Sequence, residues 1–253
     1  NISAKVVDVG IPAAKDAKFE LAYWQNISGT WNWSGISSDM YIVSRLFDID
    51  KWSKEWWGYV ESAADAMEEA RINVLHIQPL ELLMDGGSTV ENYDAGNAKY
   101  TFNWDKFDAY VQYFLDRGFI KKLELYHLLN TRYASHTEPT ILIPNPDYNA
   151  EAGFSYTNRP LMIEEVATYF GDDAKTAMAP RVEAFYDQYL RALDAHLREK
   201  GWLSMAYQHV EDECISSREQ EEYKHMAEFF KARTSIPFGD PIDSQNTAFM
   251  TAN

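Results

Sequence analysis

The chain has 253 residues, 46% hydrophobic and 25% charged, an ordinary globular composition with enough length to bury one large core or two small ones. Its formal net charge is −16, with Lys and Arg scattered and Lys121-Lys122 the one notable basic pair, which argues against nucleic acid or an anionic membrane as a partner. No apolar run reaches the length of a membrane span, and the single cysteine, Cys214, excludes an intrachain disulfide and a Cys-based zinc site.

The stretch from Ala4 to Pro12 reads as a terminal strand and linker, so residues 1–15 are set apart from a main domain of 16–253. Phe19–Trp24 is the first apolar run, and the connection Gln25–Ile49 comes after it. A helix is predicted from Asp50, a candidate N-cap, with Trp52, Trp56, Tyr59, Val60, Ala63, Met67 and Ala70 at helical spacing. The apolar run Asn73–Pro79 and the connection Leu80–Asn103 come next. A second helix starts after Asn103, carries Trp104, Phe107, Val111 and Phe114 on one face, and stops at Gly118.

Leu123–Leu129 is the third apolar run. The long connection Asn130–Ala179 after it is expected to hold a hairpin around Thr140–Pro146 and Phe154–Pro160. A third helix is predicted from Pro180 to a stop at Gly201, with Val182, Phe185, Tyr186, Tyr189, Leu190, Leu193 and Leu197 facing the core. Leu203–Val210 is the fourth run. The last helix opens at Ser216 or Ser217, each spaced for a capping box with Glu219 or Gln220, and a fifth strand is expected near Ser235.

Alternating strands and helices signal a parallel sheet with right-handed crossovers, which a doubly wound sheet and a (β/α)8 barrel both satisfy. The three long connections all come after strands, where barrel enzymes place their active sites. No Gly-rich phosphate fingerprint is found after a strand, which weakens the nucleotide-binding alternative. A barrel needs eight units and about four are legible, so the expectation is an α/β chain of (β/α)8 type holding the N-terminal part of the barrel, with flanking domains in the same polypeptide.

The stretch Gly201-Trp202-Leu203-Ser204-Met205-Ala206-Tyr207-Gln208-His209-Val210-Glu211-Asp212-Glu213 is a strand ending in three acids, with a helix directly after it. Neighbours in a regular strand point to opposite faces, so Asp212 and Glu213 can share a site only if the backbone bends or bulges there. Acids at such a junction also serve as helix caps or solvated charges.

The run His196-Leu197-Arg198-Glu199-Lys200-Gly201-Trp202-Leu203, then Ala206-Tyr207 and Asp212-Glu213, resembles glycoside hydrolase family 123, in which a similar turn leads into a strand ending in an Asp-Glu dyad. Phe19–Gln25 is similar to that family's first barrel strand and Ile11-Pro12 to the linker from its N-terminal β-sandwich. Cys214 stands where the family pattern would place proline. The resemblance implies a retaining β-N-acetylgalactosaminidase working by substrate-assisted catalysis, with Glu213 as acid and base and Asp212 as the carboxylate that orients the 2-acetamido group. It implies a glycan or glycoconjugate substrate and no cofactor.

Other site candidates are Trp24, Gln78, His127 and His209, at or near strand ends, and Trp31 and Trp33, which could stack on a sugar from a Gly- and Ser-rich loop. His76, His127 and His209 lack a local ligand spacing such as His-Glu-x-x-His, so no metal site is expected. Two alternatives stay open: a family 20-like hexosaminidase, which also uses an adjacent Asp-Glu, and a non-catalytic carbohydrate-binding domain derived from such a barrel. Cellular location is not legible.

Overall fold

The computed structural model describes residues 10–24, 27, 49–87, 89–91, 97–130, 140–152, 161–165, 180–211 and 217–240. Its centre is a parallel sheet of β1 (Val74–Ile77), β4 (Lys122–Leu125) and β8 (Ala206–Gln208), in that order. Single parallel bridges extend it at both edges, Ala22 to Val74 and Phe238 to Gln208. Five parallel segments therefore lie side by side in chain order, without the reversal that marks a doubly wound sheet.

Helices α1 (Lys54–Ala70), α3 (Asp105–Asp116), α4 (Pro180–Glu199) and α5 (Ser217–Lys231) connect or succeed these strands. Most of the predicted apolar stripes are core: Trp56, Val60 and Met67 of α1, Phe107, Val111 and Phe114 of α3, and all seven predicted residues of α4 are buried, while Trp52, Tyr59, Ala63 and Trp104 are half-buried and Ala70 is exposed. Each large side chain withdrawn from water contributes about 1.5–3 kcal/mol. Trp104 and His196 stack at 4.3 Å, and His196 Nε2 lies 2.6 Å from Asp108, pinning α3 to α4.

Local chemistry corrects several boundaries. The first helix is capped by Ser53, whose hydroxyl accepts from the Trp56 N–H, rather than by Asp50. Asn103 accepts from the Asp105 N–H, so it caps α3 one residue earlier than the formal cap position. Gly118 and Gly201 do end the helices before them, at φ 77° and 74°. Ser204 belongs to a short 3-10 turn, Leu203–Met205, so β8 begins at Ala206.

The run Phe19–Trp24 contributes only its Ala22 bridge. Asn73, fully buried, holds it there: its amide accepts from the Leu21 N–H and donates to the Phe19 carbonyl, each at 2.8 Å. The connection after β1 contains structure that periodicity did not reveal, a short helix α2 (Pro79–Asp85) and the antiparallel pair β2 (Thr89–Glu91) and β3 (Lys99–Thr101). The connection after β4 builds a further, three-stranded antiparallel sheet, with β5 (Leu129–Asn130) on β6 (Thr140–Pro144) and β6 on β7 (Leu161–Glu165). Strand β6 pairs with 161–165, and the predicted arm Phe154–Pro160 lies outside the described residues. Tyr186 Oη donates to the Leu142 carbonyl at 2.7 Å and fastens this sheet to α4.

Candidate functional site

Strand register separates two faces of the parallel sheet. Leu75 and Ile77, Leu123 and Leu125, and Ala206 lie on the apolar face, within the hydrophobic core. The alternate positions are polar or aromatic: His76 pairs with Glu124, which pairs with Tyr207. The same period continues past the strand ends to Gln78, Tyr126, His209 and Glu211, and it reaches Trp24 from the Ala22 bridge. A layer of polar groups thus lines one face at the C-terminal ends of the strands.

Glu124, 2% exposed, is the hub of this layer. Its Oε1 accepts from the Trp24 indole N–H at 2.8 Å and is hydrogen-bonded to His209 Nε2. The other ring nitrogen of His209, Nδ1, lies 3.4 Å from Asp240. Aromatic rings enclose these bonds: Trp24 meets His127 edge-on at 5.0 Å and His209 at 5.6 Å, and the His127 and His209 centroids are 4.8 Å apart. Trp24 is 45% exposed and forms the open rim of an otherwise buried cluster.

Proton affinities reflect these contacts. Burial alone would lower the His209 pKa, but the Asp240 and Glu124 carboxylates on either side of the ring outweigh it and raise the value to about 9. Burial also lowers His127, and the neighbouring His209 and His76 push it further, to about 3, so this imidazole is neutral. Burial opposes ionisation of Glu124, yet hydrogen bonds from His209 and Trp24 and the nearby His76 bring its pKa below the usual range. Burial and the Glu124 carboxylate raise the Tyr207 phenol, which stays protonated.

Three of the predicted residues, Trp24, His127 and His209, are brought together in this cluster. Gln78 is buried at the end of β1, in the N-cap position of α2, and its side chain makes no cap bond there. Asp212, Glu213, Trp31 and Trp33, with Cys214 and Ser216, lie outside the described residues. Glu124 and Asp240 were not anticipated. Glu124 had a readable sign: a lone carboxylate between Leu123 and Leu125 in a strand otherwise fit for burial. Among the described residues no group of three or more His, Cys, Asp or Glu is arranged to hold a metal ion, and no helix is long and apolar enough to cross a membrane.

A parallel α/β sheet with a polar, aromatic-rimmed layer at its strand ends is also the frame of known enzymes. The fold is similar to the solved structure of a family 123 glycoside hydrolase from Clostridium perfringens, described for glycolipid glycan hydrolysis, with a TM-score of 0.54 and 13% sequence identity. The likeness covers 97% of this chain and 39% of that one, so the chain spans well under half of the clostridial protein's length. No curated protein matches the chain. The glycoside hydrolase 123 catalytic domain matches residues 38–238, and the chain belongs to glycoside hydrolase family 123.

Proposed function

We propose that this chain carries the catalytic machinery of a retaining glycoside hydrolase, on a (β/α)8-type barrel, that removes terminal β-linked N-acetylgalactosamine by substrate-assisted catalysis. The observation that carries the reading is the family match over 38–238, which includes the Asp212-Glu213 pair a few residues beyond β8 in the sequence, after His209 and Glu211. The glycolipid glycan hydrolysis described for the clostridial protein supports a glycoconjugate as the substrate class.

In this mechanism the substrate's acetamido oxygen attacks the anomeric carbon as the bond to the leaving oxygen breaks, and that oxygen takes a proton from Glu213. Asp212 accepts a hydrogen bond from the acetamido N–H and stabilises the cationic ring-closed intermediate. Water, deprotonated by Glu213, then opens the intermediate with overall retention. An ionised Asp212 keeps its neighbour Glu213 protonated near neutral pH. The buried carboxylates Glu124 and Asp240 beside the strand ends add negative potential, which favours a transition state with positive charge. Trp24 supplies an exposed ring for the sugar face, Gln78, His127 and His209 line the site, and Trp31 and Trp33 are further stacking groups.

The test is hydrolysis of aryl β-N-acetylgalactosaminides by the full-length protein. Glu213→Gln should lose about 10²–10⁴-fold with poor leaving groups and much less with activated ones, because these depart with little protonation. Asp212→Asn should lose heavily with both, since acetamido attack is needed in either case. Equal losses for the two variants across leaving groups would contradict the assigned roles.

A further inference from the structure

Asp240 gathers four polar contacts, from α5 and from the chain just beyond β8. Its Oδ1 accepts the Val210 N–H at 2.8 Å and the Glu211 N–H at 3.2 Å, and it lies 3.4 Å from His209 Nδ1. Its Oδ2 accepts from the Tyr223 hydroxyl of α5. The side chains of Asp240 and His209 are 4% and 5% exposed. Main-chain bonds bring the acid there: the Gln208 N–H donates to the Pro237 carbonyl at 2.9 Å and the Gly239 N–H to the Gln208 carbonyl at 3.1 Å. On the far side of His209 the bonds continue through Glu124 to the Trp24 indole.

We propose that Asp240 is a positioning residue which, through His209 and the Val210–Glu211 peptides, fixes the strand end that leads into Asp212 and Glu213, and ties it to Trp24 on the rim. The catalytic part of this inference rests on the proposed function of the acid pair, whereas the array itself rests on geometry alone. One carboxylate holding two consecutive peptide N–H groups sets the direction in which the chain leaves β8. An imidazolium between two buried carboxylates neutralises one of their charges; without its proton, Asp240 and Glu124 would face each other uncompensated. The His127 and Tyr207 rings pack against His209, His76 packs against Tyr126, the Tyr223 phenol donates to Asp240, and Glu20 acts on Tyr207 from the first segment.

The experiment combines two readouts on the full-length protein. Ring-nitrogen chemical shifts of His209, assigned with His209→Gln, should report an imidazolium that persists through neutral pH and releases its proton at lower pH in Asp240→Asn. With an aryl β-N-acetylgalactosaminide, Asp240→Asn should lower kcat by up to about 10²-fold with little change in KM, the scale of a small misplacement of reacting groups. Its alkaline limb should move to lower pH. Tyr223→Phe, which removes one donor and keeps the carboxylate, should shift both readouts in the same direction by less, and it serves if Asp240→Asn does not fold. A His209 that titrates like a free imidazole would overturn the array, whatever the substrate. Wild-type kcat and pH profile in Asp240→Asn, or in Tyr223→Phe if only that variant folds, would overturn the positioning role. If no N-acetylhexosaminide is cleaved by the wild type, the proposed function falls, and the His209 titration alone decides the array.

Discussion

His127 and His209 sit with ring centroids 4.8 Å apart and take opposite protonation states. The difference lies in partners: His209 lies between two carboxylates, whereas His127 is buried near two other imidazoles. Linkage then sets how stability depends on pH. His209 binds its proton more tightly when folded, so its contribution is complete below the ordinary value of 6.5 and is lost as pH rises through about 9. His127 binds its proton less tightly when folded, so its contribution is present above 6.5 and is lost as pH falls toward about 3. Thermal midpoints should therefore fall between about pH 7 and pH 10 in the wild type, and fall less in His209→Gln, which lacks the titrating group. Equal alkaline declines in the two proteins would mean that His209 is not the group responsible. The sequence placed His127 and His209 at or near strand ends, but their opposite protonation states were not legible from it. His127 and His209 are far apart along the chain, as are Glu124 and Asp240, and no local spacing announces that separate strand ends will bring them together.

At the scale of elements, periodicity decides what is legible. The four long helices were readable because each repeats an apolar face over two or more turns, and Gly118 and Gly201 mark two of their ends. Short elements carry no such record. Helix α2 has seven residues with Pro79 at its start. Strand β7 has five residues, and its register, Thr140 with Glu165 through Pro144 with Leu161, is not written in any local turn signal of the sequence. Gly201 gives a direct test of the helix end that leads into the dyad strand. A Cβ there would meet nothing within 4 Å, so Gly201→Ala costs only what the backbone loses at φ 74°, about 1 kcal/mol. Denaturant unfolding should show a lower midpoint with an unchanged slope. A midpoint equal to wild type would mean that the turn relaxes to a conformation that alanine accepts.

Across the whole molecule, the parallel segments run in chain order from Ala22 through β1, β4 and β8 to Phe238, and every residue of the polar cluster comes from these segments or just beyond their ends. The sheet order could be anticipated from alternating apolar runs and helices, whereas Asp212 and Glu213 lie outside the described residues. Of the buried support beneath the strand ends, Glu124 is marked by the leucines on either side of it, whereas Asp240 looks like one more acid in a chain of net charge −16. The central claim is that the substrate, rather than the protein, supplies the nucleophile. The most direct measurement compares the full-length protein on an aryl β-N-acetylgalactosaminide and the aryl β-galactoside with the same leaving group. The expected result is cleavage of the first with the β-anomer released initially, and no turnover of the second. Rapid hydrolysis of the plain galactoside would contradict the claim, and a carboxylate of the protein such as Glu211 would then have to take the nucleophile's place.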